Sequence, residues 1–272
     1  MTPSYPALKK SFCLETGKYA EKSGDLSIFK DICVCMQSLA GEHAAKLGLA
    51  VETLYAADLM WVLARQQVVL PTLPAADSTI YIKTWPSTIS RLQCRRDFIV
   101  KNEKGELLGH GITHWVVVNM SSRRAERLPP FITEVYPKDP EFAANDIALR
   151  HPALPANLEI ATWQTSQADI DLNAHVTNMR YADFMLDALP EQHYATHRLT
   201  ALDMTFRAET IAGQKISSRS QTCDPLLFAP LARTDTDLAF WHSLVKKEKK
   251  ILFWKKEEEK ELVRGFSLWR KR

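Results

Sequence analysis

Residues 25–48 read DLSIFKDICVCMQSLAGEHAAKLG. Leu26, Phe29, Ile32, Cys33, Met36, Leu39, Ala40, His43 and Leu47 recur at three- and four-residue steps, the spacing of one broad apolar face on a helix. Asp25 stands where an N-cap belongs, and Gly48 where a glycine closes the last turn. Such a stripe must be buried against another layer. The flanking sequence supplies that layer. Residues 8–16 (LKKSFCLET) read as a short strand. The stretches 59–70 (LMWVLARQQVVL), 78–85 (STIYIKTW), 92–101 (LQCRRDFIVK) and 106–119 (ELLGHGITHWVVVN) are rich in β-branched and aromatic residues. Lys104-Gly105 sets a hairpin turn between the last two. One strand, a long helix and a run of antiparallel strands predict an α+β unit whose curved sheet wraps the helix.

The second half repeats that order. A strand at 157–164 leads through a polar loop to a helix at about 176–189, and strands follow at about 199–208, 214–223, 237–246 and 261–270. The same order occurring twice is a duplication of architecture, and it predicts a double hot-dog, two tandem helix-in-sheet units. Six prolines between Pro129 and Pro155 break the periodicity of residues 128–156. The boundaries expected are a first unit at 1–135, a connector at 136–156 and a second unit at 157–272. The segment 246–260 (KKEKKILFWKKEEEK) reads as an extended hairpin with solvated charged arms and a short apolar island, Ile251 to Trp254.

In bulk the chain is an ordinary globular protein. Of its 272 residues 46% are hydrophobic, enough for real cores, and a net charge of +3 is too slight for a nucleic-acid-binding face. No run approaches the ~20 apolar residues of a membrane span, and Met1 to Lys10 lack a signal peptide's apolar stretch. Cys13, Cys33, Cys35, Cys94 and Cys223 are odd in number and irregularly spaced, which suits free thiols in a reducing cytoplasm better than disulfides or a zinc site. The expectation is a soluble, cytoplasmic protein.

Chemistry concentrates at 169–181, DIDLNAHVTNMRY. In an extended loop the spacing of Asp171, Asn173 and His175 puts a carboxylate, an amide and an imidazole on one side. They stand just before a helix, whose first backbone N–H groups lack intrahelical acceptors and whose dipole favours negative charge. That environment suits the oxyanion formed when water attacks a thioester carbonyl. Taken singly, each residue is as well explained as a turn, a cap or a packed histidine.

The same segment resembles the D-x-N-x-H-V-x-N-x-x-Y motif of the acyl-ACP thioesterases. Trp61–Val68 resembles that family's first long strand, Cys94-Arg95-Arg96-Asp97-Phe98 its R-R-D segment, and His114–Asn119 with Arg123-Arg124 and Leu128-Pro129 its W-V-x-x-N strand and exit. Val263-Arg264-Gly265 and Trp269-Arg270 resemble its closing strand. The resemblance covers about residues 8–270 apart from 246–260. It implies an acyl-chain pocket in the first unit, catalysis in the second, and acyl carrier protein bearing a fatty acyl thioester as partner. Asp171, Asn173 and His175 match three catalytic positions, and Phe206–Thr210 matches the segment that carries the fourth, Glu209. Plant members commonly have a cysteine after that glutamate. Here Thr210 follows, so the thiol a Cys–His mechanism would need is missing from that place.

The expected reaction is therefore hydrolysis by water, with Asp171 or Glu209 as general base, His175 orienting a group or protonating the leaving thiolate, and Asn173 holding the carbonyl or the water. No metal or cofactor, no nucleic acid and no membrane enters it, and a homodimer is one option for assembly. An acyl-CoA thioesterase of the same fold, a non-catalytic acyl-binding protein and a hot-dog dehydratase are the alternatives. Arg95 and Arg96, adjacent in a strand, should face opposite ways. They are expected either as surface arginines paired with Asp97 or a glutamate, or as contacts for an acidic carrier or a phosphopantetheine phosphate.

Overall fold

The computed structural model describes residues 7–14, 24–147, 150–171, 174–228, 231, 236–249 and 257–272. Two compact units emerge, Met1–Ile147 and Ala148–Arg272. The first contains β1 (Leu8–Cys13), α1 (Gly24–Lys46), α2 (Val51–Ala56), β2 (Leu59–Val69), β3 (Thr79–Ile89), β4 (Gln93–Asn102), β5 (Leu107–Asn119) and α3 (Pro130–Thr133). The second contains β6 (Glu159–Gln164), α4 (Asn178–Leu186), α5 (Glu191–Thr196), β7 (His197–Phe206), β8 (Lys215–Cys223), β9 (Leu238–Lys249) and β10 (Glu257–Lys271). Within the first unit the antiparallel order is β1-β3-β4-β5-β2. Within the second it is β6-β8-β9-β10-β7. Numbered inside each unit, both read first, third, fourth, fifth, second. The duplication seen in the order of sequence patterns is thus also a duplication of strand order.

The stripe on α1 is the core of the first unit. Leu26, Phe29, Ile32, Cys33, Met36, Leu39, Ala40 and His43 are all buried. The helix begins at Gly24, so Asp25 lies in its first turn rather than capping it. Glycines let the layers close up. A Cβ on Gly111 in β5 would stand 2.8 Å from Met36 Sδ, and one on Gly265 in β10 would stand 2.8 Å from Met185 Cε of α4. Each unit therefore seats a helix methionine over a glycine of its fifth strand. The second helix is shorter than expected, Asn178–Leu186 instead of 176–189, because Val176 and Thr177 are held by other partners described below.

The proline-rich stretch is no free connector. Its first part is tied onto the first unit: Trp85 Nε1 donates to Glu141 O (2.9 Å), Ala143 N–H to Asp97 Oδ1 (2.9 Å), and Gln67 Nε2 to Ile147 O (2.9 Å). Its later part belongs to the second unit, where His151 and Leu154 are buried. There Arg264 donates to His151 O (3.1 Å) and Arg219 to Leu154 O (3.0 Å). Prolines abolish helix and ladder periodicity without abolishing packing, which is why the sequence pattern reads as a linker.

The two arginines of β4 also differ from expectation. They do face opposite ways, but both are only 6% exposed. Arg95 grips Asp97 with two bonds (2.7 and 2.9 Å), reaches Asp146 (3.1 Å) and Ala144 O (2.6 Å), and covers Phe142. Arg96 turns toward α1, where Nη1 meets His43 Nδ1 (2.9 Å) and Thr84 Oγ1 (3.3 Å). A buried guanidinium is tolerated where it has polar partners, as both have here. Neither side chain is a surface contact for a carrier protein.

The charged hairpin pairs as an extension of β9 and β10, setting Glu257 opposite Lys249 and Glu259 opposite Lys247. Its apolar island, Ile251 to Trp254, lies outside the described residues. Among the described residues no helix is long and apolar enough to cross a membrane.

Two predictions follow from this packing. A Cβ on Gly109 would meet the Val69 backbone oxygen at 2.0 Å, whereas one on Gly111 meets only a flexible methionine side chain. Gly109→Ala should therefore cost at least the upper part of the ~1–3 kcal/mol typical of overpacking, and Gly111→Ala distinctly less. Denaturant melts of both variants decide it, and equal losses would contradict the account. In the second unit His242 Nε2 lies 2.8 Å from Ser267 Oγ, which also accepts the Trp269 indole N–H (2.9 Å). Burial, with His151 nearby, pushes His242 down to about 3. An unfolded chain takes up that proton near pH ~6.5, so the contribution is complete above ~6.5 and is lost as pH falls toward 3, by at most ~1.4 kcal/mol per pH unit. His242→Gln should flatten the acid slope of the melting temperature between pH 6 and pH 4. An unchanged slope would remove His242 from the acid response.

Candidate active site

The polar stretch after β6 is a tight reversal. Ser166 and Asp169 close a reciprocal cap on a 3₁₀ turn, with Ser166 N–H 2.7 Å from Asp169 Oδ2. Ile170 then pairs with Val176 in an antiparallel bridge, Asp171 N–H donates to His175 O (2.8 Å), and Ala174 sits at φ 63°. Left-handed backbone at Ala174 turns the chain back on itself. Asp171 and His175 consequently approach as two ends of a loop, not as side chains alternating on an extended strand. Asp171 Oδ1 accepts the backbone N–H of His175 (3.3 Å), which fixes the loop from inside. Asn173, the third residue expected at this site, lies outside the described residues.

Thr177 N–H donates to Asp169 O (2.9 Å), and Arg180 in the first turn of α4 clamps Asp169 (2.6 Å) and Asp183 (2.9 Å). Burial alone would raise the Asp169 carboxyl, but the Ser166 backbone and Arg180 outweigh it and hold it below the usual carboxylate range. Val176 N–H crosses to Thr210 O (2.9 Å). That single bond joins the loop to the segment after β7, where Arg207 N–H donates to Leu262 O (2.8 Å). The residues just before these two partners are His175 and Glu209, and their side chains meet: His175 Nε2 lies 2.9 Å from Glu209 Oε2. The imidazole is 23% exposed and the carboxylate 37%, so water reaches both.

Of the four expected positions, then, Glu209 and His175 are in contact and Asp171 is tied to the His175 backbone. The helix contributes less than expected, since the amides of Val176 and Thr177 are spent on Thr210 and Asp169. Arg180 N–H is also taken, by Thr177 O (3.0 Å), so of the amides that open the helix those of Asn178 and Met179 are left for an oxyanion. Two structural members escape the sequence reading. Arg180 is legible only once Asp169 is known to turn back toward the helix. Tyr181, whose hydroxyl accepts Thr210 N–H (3.1 Å), was visible in the N-x-x-Y of the motif but without a role.

A thiol mechanism finds no support among the five cysteines. Cys13, Cys33, Cys35 and Cys94 belong to the first unit's strands and helix, and Cys223 ends β8. Burial raises Cys33 beyond the reach of physiological pH, Cys94 to about 11 and Cys223 to about 12. Among the described residues no group of three or more His, Cys, Asp and Glu side chains is arranged to hold a metal ion.

Residues 19–136 match the family model of the acyl-ACP thioesterase N-terminal domain, and residues 155–269 match that of its C-terminal domain. Oleoyl-acyl carrier protein thioesterase 1 of Arabidopsis thaliana, a chloroplastic protein, is 26% identical over 276 residues, covering 93% of this chain and 74% of that protein. The second Arabidopsis oleoyl-acyl carrier protein thioesterase is 29% identical over 191 residues, 64% of this chain, and the match spans about half (52%) of that relative's length. In three dimensions the crystal structure of an acyl-ACP thioesterase from Bacteroides thetaiotaomicron superposes with a TM-score of 0.75, at 20% identity over 97% of this chain and 98% of that one. The fold is thus the double hot-dog, and both halves match the family in order. The chain belongs to the acyl-ACP thioesterase family.

Proposed function

We propose that this chain hydrolyses the thioester of a fatty acyl group carried on acyl carrier protein, using the His175–Glu209 pair to move the proton. The contact of 2.9 Å between the two side chains carries the proposal. With Nε2–H donating a hydrogen bond to Glu209, the neutral imidazole keeps a lone pair on Nδ1, which can take a proton from water as its oxygen attacks the thioester carbon. The histidine therefore serves as the base, and Glu209 is the group that fixes its tautomer and stabilises its charge. This reverses the roles expected from sequence, where a carboxylate took the proton. First-turn amides of α4 would receive the carbonyl oxygen as it becomes an oxyanion. Collapse of the tetrahedral intermediate breaks the C–S bond, and the imidazolium returns its proton to the leaving sulfur. Free acid and carrier thiol result, and atoms and protons balance with one water consumed. Asp171 sets the loop that presents His175. Asn173 fits a role in holding the carbonyl or the water. Free buried thiols such as Cys33 and Cys94 favour a reducing compartment, and on that ground we place the reaction in the cytoplasm.

Steady-state hydrolysis of one acyl chain presented on carrier protein and on coenzyme A tests the carrier: turnover is expected to favour the protein-bound substrate, and a preference for the coenzyme would overturn that choice. His175→Ala should lower kcat/KM by at least ~10²-fold, and near-normal turnover would end its proposed role. A variant with all five cysteines replaced should keep most of its activity, because the attacking group is water. Acyl transfer to any cysteine during turnover would refute the mechanism.

A further inference from the structure

We propose that Tyr181 is a positioning residue for this reaction, setting the His175–Glu209 pair through the peptide group of Thr210; the proposal rests on the thioesterase reading above. Residues 207–210 lie between β7 and β8 and belong to neither strand. Two anchors hold them. On one side the backbone N–H groups of Arg207 and Ala208 reach Leu262 O (2.8 and 3.3 Å). On the other, both backbone polar groups of Thr210 are taken by the segment that carries His175: its carbonyl accepts Val176 N–H (2.9 Å), and its N–H donates to Tyr181 Oη (3.1 Å). Glu209 is the residue between these anchors, and His175 is the residue before Val176. The register of Thr210 on α4 is therefore the register of the carboxylate on the imidazole.

Tyr181 is well built for the task. Its ring is 3% exposed and packs edge-on against Phe206 at 6.1 Å between centroids, at the end of the strand leading to Glu209. Burial first, and the neighbouring carboxylates of Glu209 and Asp171 after it, keep the phenol protonated across the physiological range. It is thus a neutral acceptor fixed by its own packing. Replacing the hydroxyl by hydrogen would leave the ring contact intact and the buried Thr210 N–H without its acceptor.

The test compares Tyr181→Phe with the parent on acyl-ACP. Loss of register by a fraction of an ångström should lower kcat at least ~10-fold while KM stays within about twofold, and the midpoint of the kcat–pH profile should move. In a Glu209→Gln background the same substitution should cost less than about twofold, because the group it positions is already disabled. A merely structural tyrosine would leave the pH midpoint in place and cost the same factor in both backgrounds, and either result overturns the proposal. A second variant keeps every side chain: the α-hydroxy acid analogue of threonine at position 210 removes only the N–H donor. It should reproduce the loss of kcat, and full activity in it would overturn the proposal even if Tyr181→Phe failed to fold. Absent hydrolysis by the parent, or an active His175→Ala, would instead overturn the reading of function on which this inference rests.

Discussion

A methionine lies in each unit where a side chain on the facing strand would have to be. Met36 occupies the space above Gly111, and Met185 the space above Gly265, each 2.8 Å from the position of a hypothetical Cβ. A strand without a side chain at these points lets the helix lie this close to the sheet with its methionine undisplaced. In the first unit it brings the long face of α1 down onto five strands and closes the core. In the second it places the short helix α4 so that Val176, just before it, and Tyr181, in its first turn, can bond to the strand-to-strand segment at Thr210. The contact between His175 and Glu209 is the end product of that docking. The two are 34 positions apart in sequence, and bonds made by their neighbours, Val176 to Thr210 O and Thr210 N–H to Tyr181, make them adjacent.

Much of this was legible from the residues. The apolar stripe from Leu26 to Leu47 is long enough that no alternative to a buried helix fits it, and every β-branched run became a strand within a few residues of its expected ends. What escaped has a common cause. Arg95 and Arg96 carry charge, and charge reads as surface; yet Asp146 and His43, distant in sequence, converge on them beside the neighbouring Asp97 and make burial tolerable. Prolines between 129 and 155 read as a linker because they erase periodicity, although the peptide groups around them are bonded to both units in turn. Around Asp171 and His175 the side-chain spacing suggested an extended loop with its polar groups on one side, while the local outcome was decided by backbone: a left-handed alanine and an antiparallel bridge at Ile170 and Val176. Glu209 was found by resemblance alone, since no local pattern distinguishes it.

The chemistry is also narrower than composition implies. Five cysteines in a thioesterase invite a covalent mechanism, but burial holds the thiols of Cys33, Cys94 and Cys223 protonated, and the place after Glu209 is filled by Thr210, a buried hydroxyl. What the described residues offer at the loop is an imidazole and two carboxylates, with His175 and Glu209 partly open to solvent. A carboxylate bonded to an imidazole is the simplest device that removes a proton from water and returns it to sulfur without changing its own charge at the end of the cycle.

If that pair acts as one unit, its members cannot be removed independently. Measuring kcat/KM on acyl-ACP for His175→Ala, Glu209→Gln and the double variant tests this directly. The double variant should be no more than about threefold worse than the poorer single one, since either change disables the same proton transfer. Losses that multiply, leaving the double variant lower by the product of the two single effects, would show that His175 and Glu209 work separately and would contradict the account.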